Sequence, residues 1–225
     1  MIRQEYIIDR AECDKLAEKI FLESAGINKE GAKYEHMRKD AFAIKTLIEP
    51  NIKPQAAYIY FDRKEFELKE NVLTLQGKEI DCPAFDKIDE NEVKGLYLYG
   101  VTAGDFDFPD MPILKRLYAD IWGSAYTDAV RILMKNDFKK ECSISDSFGP
   151  GFYGMKVDCM RFLAQIIDIE KLGVELRKNT ILVPVKSCVG MYFAVSENYV
   201  PMKNECKACM GNHRTCKLCM IDISA

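Results

Sequence analysis

The spacing of hydrophobic residues predicts two helices at the start of the chain. Residues 10–25 and 29–48 carry apolar side chains three and four positions apart, which is typical of helices that pack one face against a core. Gly26 follows the first segment, where glycine commonly ends a helix. We expect Asn28 to cap the second segment, because asparagine at that position accepts a hydrogen bond from a free backbone N–H.

From residue 54 onward the pattern alternates mostly with a period of two, which predicts strands. Two more helical patterns interrupt the strands. The predicted strands are 57–61, 72–75, 94–102, 141–144, 174–176, 181–183 and 189–195, and the further helices are 110–137 and 157–169. Helices and hairpin-like strands mix without a regular strand–helix–strand alternation. The pattern therefore predicts an α+β fold, with a mixed or antiparallel twisted sheet and helices packed around it.

The longest predicted helix has small residues in its middle and carboxylates at its start. Its middle contains Gly123-Ser124-Ala125, small residues that lower helix propensity. They allow either close packing by another part of the chain or contact with a ligand. Three carboxylates, Asp105, Asp107 and Asp110, lie at the start of the helix, and we expect them to cap its positively polarised N-terminus rather than to catalyse a reaction.

Composition narrows the classes of function. The chain has 225 residues, of which 48% are hydrophobic and 30% charged, so it can bury a substantial core. A net charge of −3 gives no general attraction to nucleic acid. Neither a signal peptide nor a membrane-spanning run is expected. Five cysteines are scattered without a pairing pattern, which suits a reducing, cytoplasmic environment; these are Cys13, Cys82, Cys142, Cys159 and Cys188.

The other four cysteines form a compact motif in the last part of the chain. Their order is Cys206-x2-Cys209-x6-Cys216-x2-Cys219. Two such pairs can surround one metal ion, although two disulfides or four free thiols remain alternatives. Six residues between the pairs is short for a structural zinc site and also suits a [4Fe–4S] cluster. We therefore expect two regions, an α+β domain at 1–200 and a metal-binding tail at 201–225.

The best candidate for ligand contact outside the tail is the loop at 147–154. It contains three glycines and one proline around two aromatic residues, Phe152 and Tyr153. Glycine lets the backbone approach a ligand closely, and aromatic rings offer faces for stacking. A tight turn between a strand and a helix explains the same composition equally well. Only two histidines occur in the chain, so a Ser-His-Asp catalytic triad is not expected.

The loop and the segments that follow it carry a family resemblance. The ordered set Gly149-Pro150-Gly151-Phe152, then residues 169–176, then 183–190, resembles the activation (reactivation) domain of cobalamin-dependent methionine synthase. The resemblance is clearest over 147–196 and extends more weakly over most of 94–200. It implies an α+β domain that binds S-adenosylmethionine and docks over a corrinoid.

The resemblance also implies particular ligand-binding residues. The family loop reads Arg-x-x-Pro-Gly-Tyr, whereas this chain has Ser147 in place of the arginine and Phe152 in place of the tyrosine. Losing the arginine removes a fixed cation and several hydrogen-bond donors. Two further positions match a family tyrosine beyond the last strand and an acidic position on the long helix. The implied S-adenosylmethionine-binding set is Ser147, Gly149, Gly151, Phe152, Tyr199 and Asp128.

As a function, the resemblance implies reductive reactivation of a corrinoid methyltransferase, most directly methionine synthase. Terminal cysteines occur in some free-standing relatives, so the cobalamin is expected on a partner protein in trans. An electron donor such as a flavodoxin or ferredoxin completes the expected system. Two alternatives stay open: a reactivator of another corrinoid protein, and a non-enzymatic adaptor whose zinc knuckle binds a partner.

Overall fold

A computed structural model describes residues 2–178 and 180–200. The four tail cysteines and the predicted tail region at 201–225 lie outside these residues. The helices are α1 Arg10–Ser24, α2 Ala32–Ile48, α3 Ile113–Glu141 and α4 Met160–Ile167. The strands are β1 Arg3–Tyr6, β2 Ile52–Asp62, β3 Phe66–Lys69, β4 Val72–Leu75, β5 Lys78–Asp81, β6 Gly95–Gly104, β7 Ser143–Ile144, β8 Glu175–Arg177, β9 Ile181–Val183 and β10 Ser187–Val195.

The predicted α+β class is confirmed. A five-stranded antiparallel sheet in the order β1-β2-β6-β10-β7 forms the centre of the fold. A three-stranded sheet, β3-β4-β5, and the β8-β9 hairpin accompany it. None of the helices in the described part of the chain combines the length and hydrophobicity that crossing a membrane requires.

The side chains of β6 alternate between two hydrophobic cores. Leu96 and Leu98 belong to the core shared with α4 and the small sheet. Tyr97, Tyr99 and Val101 belong to the core shared with α1, α2 and α3. Every residue of β6 is buried, because helices cover one face of the central sheet and α4 with the small sheet covers the other.

Trp122 on α3 contacts both α1 and α2, the other two helices that cover this face of the sheet. Its ring stacks on Phe21 of α1 with a centroid distance of 3.9 Å, and its indole N–H donates to the Ala41 carbonyl of α2 at 3.0 Å. Burying a large aromatic ring whose polar atom is satisfied stabilises this layer without leaving an unpaired donor. The arrangement fixes α3 against the sheet, and α3 contributes to the candidate site below.

The small residues in the middle of α3 are explained by packing. A side chain at Gly123 would meet Lys186 at 2.7 Å and Phe106 at 2.8 Å. Lys186 also lies 3.0 Å from the Ser124 hydroxyl and 2.6 Å from Asp120. Gly123 therefore lets the segment before β10 approach the helix closely.

Two predicted caps are wrong. Helix α2 begins at Ala32 rather than 29, and Gly31 precedes it with a φ of +121° and no side-chain cap. Asn28 lies too early to supply that cap. Helix α3 follows Pro112, also without a side-chain cap, and the Asp105 carboxylate instead accepts from the Asp107 backbone N–H at 3.0 Å.

Candidate ligand-binding site

A small cavity opens where α3, the centre of the large sheet and the loop after β7 meet. Its volume is about 180 Å³. The lining residues are Tyr99, Thr127, Asp128, Arg131, Ser147, Gly149, Phe152, Tyr153, Cys188 and Val189. The sheet, α3 and the loop all contribute polar side chains, so the cavity can contact both polar and apolar parts of a ligand.

The loop is attached to the sheet by a pair of backbone hydrogen bonds. Phe148 N–H donates to the Met191 carbonyl at 3.0 Å, and Met191 N–H donates back at 2.8 Å. Gly190 makes this approach possible, since a side chain there would meet the Tyr99 hydroxyl at 2.5 Å and the Phe148 carbonyl at 2.8 Å. The Phe148 ring is fully buried. Both backbone hydrogen bonds and the buried Phe148 side chain therefore hold the loop against β10.

Hydroxyl groups line the cavity, among them those of Tyr99, Thr127 and Ser147. The Tyr99 and Ser147 hydroxyls lie 2.7 Å apart, so one donates to the other. The Thr127 hydroxyl lies 3.0 Å from the Gly123 carbonyl and 3.1 Å from the Lys186 carbonyl. These bonds satisfy polar groups that would otherwise be costly to bury.

One ion pair on α3 also lines the cavity. An Arg131 guanidinium nitrogen lies 3.1 Å from Asp128 Oδ1. The two residues are three positions apart, so they project from the same side of the helix. Among the residues that line the cavity in the described part of the chain, Arg131 is the one with a permanent positive charge.

Burial makes ionisation of the cysteine and tyrosines beside the cavity still less favourable than it ordinarily is. It raises the pKa of the Cys188 thiol to about 11 against the opposing influence of Arg131. It also raises the pKa of Tyr192 to about 12 and that of Tyr99 well above its ordinary value. Burial alone lowers the pKa of Arg131, but the nearby Asp128 carboxylate raises it, so the guanidinium remains protonated.

Four of the six residues expected to contact a ligand line this cavity together: Asp128, Ser147, Gly149 and Phe152. Phe152 is 69% exposed and therefore presents a free aromatic face. Gly151 lies in the same loop with a φ of +85°, and a side chain there would face Val157 at 3.8 Å. Gly151 therefore shapes the turn and does not line the cavity.

Tyr199 lies next to Asp146 and not in the cavity wall. Its hydroxyl donates to Asp146 Oδ2 at 2.9 Å and accepts from the Asp146 backbone N–H at 3.3 Å. Asp146 is 8% exposed, and the Tyr199 ring packs against the core shared with α4. In this position Tyr199 fastens the segment after β10 to the segment that leads into the loop.

Sequence reasoning missed five lining residues: Tyr99, Thr127, Arg131, Cys188 and Val189. Tyr99 lies within the predicted strand at 94–102, and Cys188 lies directly before the one at 189–195. In a strand, the sequence pattern does not distinguish a residue that lines a cavity from one that lies in the core. A signal did exist for Arg131, because it follows Asp128 at the three-residue spacing that brings side chains together on a helix.

Comparison with known proteins supports the fold. No family model matches the sequence, and no curated protein does either. Among solved structures, the chain is similar to a crystal structure of the MetH reactivation domain bound to AdoHcy. The TM-score is 0.65 at 12% sequence identity, and the alignment covers 89% of this chain and 80% of the other. The chain thus shares the fold expected from the resemblance.

The geometry of Tyr199 predicts a structural effect when its hydroxyl is removed. Tyr199→Phe deletes two hydrogen bonds to a buried carboxylate residue, so we expect the free energy of unfolding to fall by about 1–3 kcal/mol. Urea denaturation followed by circular dichroism measures the change, and Tyr34→Phe on α2 is the matched control. Unchanged stability combined with weaker S-adenosylhomocysteine binding would instead assign Tyr199 to a ligand site.

Proposed function

We propose that this chain binds S-adenosylmethionine in the cavity formed by α3, β10 and the loop at 147–154. In this proposal it serves as the reactivation component of a corrinoid methyltransferase, most directly methionine synthase. One observation carries the proposal: four residues that the family resemblance implicates, from two separate elements, line one cavity. The likeness in fold to a reactivation domain bound to AdoHcy supports it.

The size of the cavity determines how much of the ligand it can enclose. Pockets for drug-sized ligands usually measure roughly 300–1,000 Å³. A cavity of about 180 Å³ therefore holds one end of such a molecule. The remainder would lie over the loop, where the exposed Phe152 ring offers a stacking face for an adenine base.

Asp128 supplies the negative charge that this ligand requires. S-adenosylmethionine carries a positive sulfonium and a positive ammonium group, and a carboxylate at the cavity attracts either of them. Tyr99 and Cys188 stay neutral there, so they add no competing charge. The chain's contribution is to hold the methyl group in a fixed position.

The corrinoid would be presented by a partner protein, and the chemistry of methyl transfer belongs to that cofactor. Converting cob(II)alamin and S-adenosylmethionine to methylcobalamin and S-adenosylhomocysteine requires one added electron. The proposal assigns that electron to a donor such as a flavodoxin or ferredoxin. A different corrinoid protein as partner would use the same cavity.

The four tail cysteines extend the proposal to a metal centre. Cys206, Cys209, Cys216 and Cys219 lie outside the described residues, so this part of the proposal depends on their spacing alone. A [4Fe–4S] cluster there could pass an electron to the corrinoid, whereas zinc could only stabilise the tail or dock it. The adaptor alternative requires zinc.

Replacing Asp128 should change the affinity for the ligand measurably. Asp128→Asn removes the negative charge facing the ligand, so we expect S-adenosylhomocysteine to bind at least about fivefold more weakly by titration calorimetry. Asp40→Asn, at an exposed position on α2, makes the same chemical change outside the cavity and should leave affinity unchanged. Wild-type protein that shows no binding at all would contradict the proposed function.

From the spacing of the tail cysteines we predict that protein purified without oxygen contains bound metal. We expect iron and sulfide, with a paramagnetic signal after reduction by dithionite, and we expect the double variant Cys206→Ser/Cys209→Ser to lose both. Metal analysis and electron paramagnetic resonance measure the two quantities. Zinc without a paramagnetic signal would support the adaptor alternative, and metal-free protein with paired cysteines would exclude any metal centre.

A further inference from the structure

Arg131 occupies a position that the family resemblance does not assign to any ligand contact. It lies on α3 in the wall of the cavity, which the hydroxyl pair of Tyr99 and Ser147 also lines. Its side chain is 30% exposed. The guanidinium is therefore partly withdrawn from water and still open to the cavity.

The hydrogen-bonding capacity of Arg131 exceeds what residues 2–178 and 180–200 use. A guanidinium has five N–H donors. Within the described residues, one contact engages them, the bond to Asp128 Oδ1 at 3.1 Å. A partly buried guanidinium with free donors is well suited to an oxyanion, because a carboxylate can accept two parallel N–H bonds from it.

The neighbouring groups favour an incoming carboxylate as well. Tyr99 and Cys188 are held neutral by burial, so they do not repel an anion. Asp128 is 46% exposed at its side chain and can stay solvated when its partner turns toward a ligand. An amino-acid group carries one carboxylate and one ammonium, which matches the adjacent positive and negative charges of Arg131 and Asp128.

We propose that Arg131 binds the carboxylate of the amino-acid end of the ligand and replaces the arginine that is absent at Ser147. The inference rests on the proposed function, because it assumes that S-adenosylmethionine occupies this cavity. The volume of about 180 Å³ agrees with it, since an amino-acid end fits a cavity too small for the whole ligand. In this role Arg131 makes the site selective for ligands that carry a carboxylate.

A pair of ligands separates this role from simple packing. S-adenosylhomocysteine has the carboxylate, whereas its decarboxylated analogue lacks that group and keeps the ammonium and the nucleoside. Wild-type protein should bind S-adenosylhomocysteine at least tenfold more tightly than the analogue in titration calorimetry. Arg131→Met should lose that tenfold preference and bind the analogue within about twofold of wild type, because its apolar side chain keeps much of the packing.

Two further variants serve as controls. Arg131→Lys keeps the positive charge without the paired donors and should retain an intermediate preference. Arg116→Met removes an exposed arginine from the same helix and should bind both ligands as wild type does. Thermal melting of each variant shows whether the fold is intact.

The outcomes are distinct. Equal loss of both ligands in Arg131→Met would assign Arg131 a structural role and overturn the inference, and so would an unchanged preference for the carboxylate. In both cases binding of S-adenosylhomocysteine to wild type leaves the proposed function in place. If the variant does not fold, the wild-type preference decides, because equal affinity for the two ligands also overturns the inference. Wild-type protein that binds neither ligand overturns both proposals.

Discussion

The burial of β6 on both faces is the constraint on which the rest of this structure depends. All ten residues of the strand are buried, and their side chains alternate between two cores. A strand covered on both faces needs apolar layers above and below it. The helices α1, α2 and α3 supply one layer, and α4 with the small sheet supplies the other. The hydroxyl of Tyr99 is then removed from water and needs a partner within the protein.

That partner comes from the loop after β7, which is why the cavity forms where it does. Strand β10 pairs with β6 on one side and with β7 on the other. The backbone bonds between Phe148 and Met191 continue this pairing into the loop and bring Ser147 to the Tyr99 hydroxyl. The same geometry places the loop opposite the part of α3 that carries Asp128 and Arg131. The packing of the sheet thus brings the two charged side chains and the hydroxyl pair together.

Much of this architecture could be predicted from the sequence because its elements carry strong patterns. The mostly apolar sequence of β6 and the long helical stripe of α3 are examples. Strands β1, β3 and β5 were not predicted, since each is only four residues long and at least half polar. They become strands through pairing with neighbours, which depends on tertiary structure. The position of Arg131 in the cavity wall was missed for a similar reason, because helical spacing alone does not reveal which face of α3 meets the distant loop.

A crystal structure of the protein with S-adenosylhomocysteine would show directly where the ligand binds. We predict that the amino-acid end of the ligand lies between α3 and the loop at 147–154. Its carboxylate should be within hydrogen-bonding distance of Arg131, and its adenine should lie against the Phe152 ring. Ligand bound at another surface, with this cavity unchanged and filled by water alone, would contradict the account.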